Sequence, residues 1–534
     1  EAVRVGEQWR TADSLESTDA ALVRAEAHLG GHDLDACAAD LDAIAATDQL
    51  LLSRRLHELH LRARLTERRN RPAEFTAAAQ AASELVASAQ GAIRSLEVRA
   101  ALAEHAGPLA RRDLARALER GEAADVFATI ERWRAASRRA LVPVAAHDPT
   151  TDDLVAELRW LRAGLAPDPT DQPARQERIT DLERAIAAAQ WQQSATAPAH
   201  PDRIVDLDRL RDRLAPGTVY VAFTETADTS YALLVCAESE RLVPIAPTAE
   251  VSAAVARLRR DLRGAAHAAA NPRLRDVLAE AVTGSARMLD TVLLAPLRPW
   301  LTDHDRLVLA PSALLHAVPW AALPGIEHRP VTVASSATSW ARAGADRTPV
   351  TEVGIVTGPA VGNAGVEADQ VGSIWSAVGR PVRTGPGPAT AAEAVAVLAG
   401  TDLVHVAAHG EHAEHNPLFS SLSMADGPLF AHELSAIRAR HVVLSACDVG
   451  RSRVRTGDET LGLTAALLTL GVQNVIAAVT PVPHEVAAQA SRAYHAALAD
   501  GLDAAAALAR ATRDTPGAEV WCSFGGEFAP SAEG

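Results

Sequence analysis

The hydrophobic pattern of this chain changes period once, and that change divides it. Up to about residue 142, apolar positions recur at three and four spacing, as in Ala21-Leu22…Ala25…Leu29, Cys37…Leu41…Ile44 and Leu52…Leu56…Leu59. That spacing lines one face of an α-helix. Gly30-Gly31 and Arg71-Pro72 punctuate the pattern, and Ala123–Ala136 forms a further amphipathic helix. Helical hairpins of this size suggest stacked repeats of the tetratricopeptide type, with a period of about 34 residues. No two copies align well, so an irregular helical domain stays open beside the repeat reading. Residues 143–204 read as a break, a helical hairpin (152–165 and 176–193) around APDPTDQP, and a linker.

From about residue 205 the period shortens. The stretch 216–246 holds three short β-rich runs with turns between, expected at one edge of a sheet. Helices follow over 249–265 and 273–300, then a buried strand and an apolar segment in RLVLAPSALLHAVPWAAL (306–323). Near Val353 a second unit begins, with strands at 403–408, 442–446, 474–479 and 519–524 and helices at 459–470, 484–499 and 501–513. Strands alternating with helices predict a doubly wound, mostly parallel sheet. The fold class is therefore α plus α/β. Four sections are expected: 1–142 helical and repeat-like, 143–204 hairpin and linker, 205–345, and 346–534.

Composition narrows the function classes. The chain has 534 residues, too many for one core. It is 48% hydrophobic with mean hydropathy near zero, compatible with a large core. The net charge of -15 argues against nucleic acid as a direct partner. No apolar run approaches the ~18 residues that span a membrane, and no signal peptide is visible. Four cysteines are too sparse for a disulfide framework, so a reducing cytoplasm is expected. Its 52 basic residues are all Arg, which reads as coding drift in a GC-rich genome.

Two short strands each end at a reactive residue: Leu403–Ala408 runs into His409-Gly410, and Val442–Ala446 into Cys447. In open α/β sheets, chemistry sits beyond the carboxyl ends of the strands. A thiol and an imidazole meeting there make a nucleophile–base pair. The bland reading of Cys447 is a buried inert thiol; its place after a strand, with His-Gly upstream, favours catalysis. His405 reads as a core histidine. His409, His412 and His415 share a spacing that suggests zinc, but no Cys or carboxylate cluster completes a site. Cys37, Cys236 and Cys522 sit in apolar runs and read as packing residues. Gly457-Asp458-Glu459 reads as a helix start, with its acids placed favourably at the dipole.

HVAAHG followed by LSACDVG resembles the His-Gly and Ser-Ala-Cys-x-x-Gly pair of CHAT domains, caspase-like cysteine proteases related to separases. LVLAPSALLHAVPWAAL, GVEADQV (365–371), GDETLGLTAALLTLGVQNVIAAV and AEVWCSFGGE resemble further segments of that family, over about residues 205–534. Helical repeats ahead of a CHAT domain are a family habit, covering 1–200 in kind only. The resemblance implies a non-catalytic section (205–345) and a catalytic one (346–534). It implies Cys447 as nucleophile, His409 as base, and the backbone N–H groups of Gly410 and Cys447 as the oxyanion hole. It implies peptide-bond hydrolysis through an acyl-enzyme, with no cofactor. In caspases, too, the His lies about 50 residues before the Cys.

The chain departs from the family where an acidic residue would follow the next strand. Val479-Thr480-Pro481-Val482-Pro483-His484 puts Thr480 at the usual Trp and His484 at the usual acid, which removes the basis for an Arg/Lys preference. Asp448, Asp458, Glu459 and Glu485, with His484, are the candidate pocket residues. The loop 451–458 (RSRVRTGD) reads as a solvated surface loop, with activation or self-cleavage as the sharper alternative. The implied protein is a regulated bacterial effector that cuts one dedicated protein, with a regulator bound by the helical part. The rival is a catalytically silent scaffold that binds protein partners.

Overall fold

A computed structural model describes residues 14–44, 52–92, 96–137, 149–162, 172–192, 204–268, 272–343, 347–411, 420–434, 437–445, 453–455 and 459–531. The first part is helical as expected. Helices Ser14–Gly30, Leu34–Asp42, Leu52–Arg68, Pro72–Ala92, Leu96–Arg120 and Ala123–Ser137 follow one another, broken at Gly30-Gly31 and before Pro72. The helix Leu52–Arg68 serves two cores. Leu56, Leu59 and Ala63 pack with Phe75, Val86 and Trp133, while Leu61 and Leu65 pack with Leu22, Leu29 and Leu41. That helix therefore joins the two helical layers. The hairpin Pro149–Arg162 with Gln172–Gln192 comes next.

Eleven strands then form one sheet: β1 (Thr218–Glu225), β2 (Thr229–Val235), β3 (Glu240–Pro247), β4 (Arg306–Ala310), β5 (Val331–Val333), β6 (Val353–Thr357), β7 (Val382–Thr384), β8 (Leu403–Ala407), β9 (His441–Ser445), β10 (Asn474–Ala478) and β11 (Trp521–Gly525). Their order is β3-β2-β1-β4-β5-β11-β10-β9-β8-β6-β7. The meander β1–β3 is antiparallel at one edge, as its turn-rich sequence predicts. The rest is parallel except where β11 meets β10. The last strand therefore sits mid-sheet. It joins β5 of the first section to β10 of the second.

The inner strands are apolar on both faces because helices cover both. Val404 and Val406 of β8 face one core with Val442 and Leu444 of β9. Leu403 and Val443 face the other, with Ile355, Trp375 and Tyr494. Chain order reverses between β6 and β8: β7 lies to one side of β6, β8 and β9 to the other. Such a switch point leaves a crevice beyond the strand ends, between diverging loops.

The helical part is bolted to this sheet by buried polar groups on the helix Ala123–Ser137. The Glu131 carboxylate accepts from Ala337 N (2.9 Å), Thr338 N (2.8 Å) and Thr338 Oγ1 (2.7 Å), covering the start of the helix Ala337–Arg342. Arg134 donates to the carbonyls of Phe223 (2.7 Å), Ala310 (3.2 Å) and Pro311 (3.3 Å), where β1 and β4 end.

Three expectations are corrected. Residues 459–461 are a strand, not the start of a helix; they pair with Arg453–Arg455, so part of the 451–458 loop is a hairpin arm. Their alternation (Arg-Val-Arg against Glu-Thr-Leu) suits a two-stranded ribbon, and the helix begins only at Leu463, after Gly462. Cys236 is not a packing residue. It is half-buried in the turn after β2, its Sγ 3.4 Å from Ser239 O, because the apolar run ends one residue before it.

Candidate active site

His409 stands two residues beyond β8, and Ser445 closes β9. The two strands are adjacent and parallel, with Ser445 opposite Ala407 in register. The chain therefore enters 446–450 at the same sheet edge from which His409 emerges. Cys447 and Asp448 lie outside the described residues, as do Asp458, His412 and His415.

His409 is half-buried and anchored at both backbone and ring. Its carbonyl accepts from Ser423 N (2.8 Å), and Gly410 pairs with Leu422 in a small sheet with 421–424 and 427–430. Its Nε2 lies 3.0 Å from the carbonyl oxygen of Ala360. A carbonyl only accepts, so Nε2 carries the proton and Nδ1 keeps the lone pair a general base needs. Ala360 holds φ +57°, an unfavourable conformation for alanine that turns its carbonyl toward the ring.

A small crevice opens at the switch point. It is lined by the β6 loop (Val361, Gly362, Asn363), by Ala408 and His409, by Ser445, and by Val482 and His484. His484 opens the helix His484–Ala499, and its ring meets His409 edge-on at 5.6 Å. Glu485 is exposed in the first turn of that helix. Glu459 sits in its strand opposite Arg455.

Sequence reasoning passed over one lining residue, Glu367, as chemistry. It lies in the helix Ala364–Ala377, 3% exposed, on the face that carries Ala368 and Val371 into the core. A carboxylate at a core position of a helix was the available signal. His405, expected as a core histidine, is fully buried, with Nδ1 3.1 Å from His495 Nε2 and Nε2 3.1 Å from Glu367 Oε1. Among the described residues no group of three His, Cys, Asp or Glu side chains could hold a metal ion. No helix there is long and apolar enough to cross a membrane.

Fold and site together define a helical region followed by a mixed, mostly parallel sheet, with a histidine presented at its carboxyl edge. Residues 283–519 match the family model of the CHAT domain. Among solved structures, it is similar to separase in the Saccharomyces cerevisiae separase–securin complex, at 8% identity and TM-score 0.47, over 99% of this chain and 48% of that one. It is also similar to the Arg-specific cysteine proteinase gingipain R, at 11% identity and TM-score 0.33, over 46% of this chain and 67% of that one. This chain thus spans about half the length of the separase chain it matches. No curated protein matches it.

Proposed function

We propose that this protein is a cysteine endopeptidase in which His409 activates Cys447. The single observation behind the reading is the state of His409. Its proton is held on Nε2 by Ala360, and its Nδ1 has no hydrogen-bond partner among the described residues, at the edge where β9 ends two residues before Cys447. Attack by the thiolate on a peptide carbonyl forms an acyl-enzyme and expels the amine, which takes the proton from His409. Water, deprotonated by the same ring, then releases the acid. Gly410 and Cys447 N–H groups serve as the oxyanion donors. Substrate specificity, a dedicated protein target, a regulator on the helical part and a role as a bacterial effector in the cytoplasm belong to the same proposal, the last by analogy.

Cys447→Ala and His409→Ala are each expected to abolish cleavage while the thermal unfolding transition stays within about 2 °C, as for replacements that leave the packed core alone. The readout is mass-spectrometric detection of cleaved protein in a proteome challenged with each variant. Cleavage that survives either replacement refutes the dyad. The second reading, a binding scaffold, is favoured by the His484 ring against His409, where the family resemblance implies an acid. Stoichiometric capture of a partner by wild type, without cleavage, decides for the scaffold.

A further inference from the structure

The helical hairpin Pro149–Arg162 with Gln172–Gln192 does not close its own core. Val155, Leu158 and Leu161 of its first helix meet Ile179, Leu182 and Ile186 of its second, each set at helical spacing. The cluster is completed by Phe430, from the small sheet beside His409. Phe430 is fully buried there, with the Arg162 guanidinium 5.4 Å from its ring centre. Arg159 adds the polar contacts. Its Nε donates to the Pro428 carbonyl at 3.1 Å, and its Nη2 pairs with the Glu433 carboxylate. The other Glu433 oxygen accepts from Phe430 N at 2.8 Å. Only glycine fits at Gly427: its φ is +119°, and a Cβ would stand 2.5 Å from Arg159 Cγ.

The strand so gripped, 427–430, is the outer arm of the sheet that anchors His409. Pro428 lies opposite Ser423 in register, and Ser423 N donates to the His409 carbonyl at 2.8 Å. On the next residue, Leu422 stands between Leu429 and Gly410. Contact therefore runs without a gap from Arg159 through Pro428 and Ser423 to His409. The turn of this sheet has its own holds on the main body, from Ala425 N to Ala389 O (2.8 Å) and from Ala391 N to Asp426 Oδ1 (2.8 Å). Arg159 grips the arm beyond that turn. A hydrogen bond weakens steeply once its distance or angle is lost, so the His409 ring keeps its 3.0 Å approach to Ala360 O only while its backbone stays in place.

We propose that the hairpin is a clamp on His409, with Arg159 as its positioning residue. By fixing the 427–430 arm, Arg159 keeps the inner strand on the His409 backbone and the His409 ring on Ala360. The importance of the clamp for catalysis rests on reading His409 as the base. Arg159 acts only through the two strands, so the helical part reaches the site by way of this hairpin.

The test follows hydrogen exchange at the Ser423 amide and carbethoxylation of the His409 ring by diethyl pyrocarbonate. Both are measured on the full chain of wild type, Arg159→Met, Arg159→Lys and Glu433→Gln, beside thermal unfolding of each. Arg159→Met keeps the apolar stem and removes the donors. It is expected to speed Ser423 exchange about tenfold, the scale of one lost charge-assisted hydrogen bond. His409 carbethoxylation is expected to rise by a like factor as the ring leaves Ala360, while the amides of β8 exchange as in wild type. Arg159→Lys, which keeps a charged donor, is expected to recover part of both. Glu433→Gln keeps the acceptor for Phe430 N and loses the ion pair, so a smaller change in the same direction is expected. It decides the matter if Arg159→Met fails to fold. Wild-type exchange and reactivity in the folded Arg159→Met protein, or in Glu433→Gln where the first does not fold, overturn the inference. Equal acceleration in β8, or a shift in unfolding temperature alone, overturns it too, because the contact is then merely structural. Cleavage that survives His409→Ala overturns the reading of the base instead, which exchange and carbethoxylation do not report.

Discussion

His405 and His409 lie four residues apart on one run of chain, yet their surroundings assign them different work. His405 sits inside β8, fully buried between two polar partners; His409 sits past the strand end, half-exposed beside a crevice. Residue type alone separates them poorly, but position against the strand end separates them well, and both readings could be made from the sequence. The cysteines divide by burial in the same way. Burial pushes the Cys522 thiol up to about 12, and burial followed by Asp40 raises Cys37. Only a thiolate alkylates readily. In native protein at neutral pH, Cys37 and Cys522 are therefore expected to stay unlabelled by iodoacetamide while Cys236, half-buried in its turn, reacts. Peptide mapping checks this, and alkylation of Cys522 ahead of Cys236 refutes it. Glu367 was passed over because a single glutamate in a helix reads as surface unless the core residues on its face, Ala368 and Val371, are weighed with it.

At the scale of elements, helix and strand positions followed closely from periodicity. His484–Ala499 forms over the span its pattern predicts, and β10 runs from Asn474 as expected. Its apolar positions recur on one face, and Glu485 sits favourably in the first turn. The miss at 459–461 has a cause in the same terms: three residues are too few for any period to show, and cross-strand pairing with 453–455 overrode the local propensity. The helix Ala123–Ser137 reads as an ordinary amphipathic helix, although its polar residues do the joining. Glu131 accepts four hydrogen bonds in a buried position, the longest from Tyr220 Oη at 3.5 Å, so Glu131→Ala strands four donors at once. The expected loss is about 3–5 kcal/mol of unfolding free energy, against a smaller loss for Glu131→Gln. Urea unfolding measures it. A loss under about 1 kcal/mol, the scale of an exposed pair, would show the contact to be dispensable.

On the scale of the molecule, β11 makes one sheet of two sections by pairing with β5 on one side and β10 on the other. The layer beneath holds further buried histidines. Burial lowers His441 from 6.5 to about 3, and burial, then His405 and His441, lowers His495 well below its ordinary value. Both are neutral when folded and take up protons on unfolding once the pH is below 6.5. A depressed folded pKa means that the stability is fully present above the unfolded value of 6.5 and lost as pH falls toward about 3. Stability should thus be level down to pH 6.5 and then fall by about 1.4 kcal/mol per pH unit for each histidine. Glu519 and Glu527, which burial raises, act with the opposite sign but only nearer the carboxylate range. Chemical denaturation at pH about 7, 6 and 5 tests the slope across the histidine range; a flat profile refutes it.

The sequence by itself determined the two-part architecture, the bounds of most elements, and the emergence of His409 beyond the end of a short strand. Those properties follow from period and from local turn chemistry, which act over a few residues. Tertiary structure decided the rest. It put β11 mid-sheet, bolted the helical part to β1 and β4 through Glu131 and Arg134, and turned the Ala360 carbonyl onto His409. It also lined up Trp375, His495, His405 and Glu367 from three distant segments. Such pairings join residues tens to hundreds of positions apart, and no periodicity in the chain encodes which of them will meet.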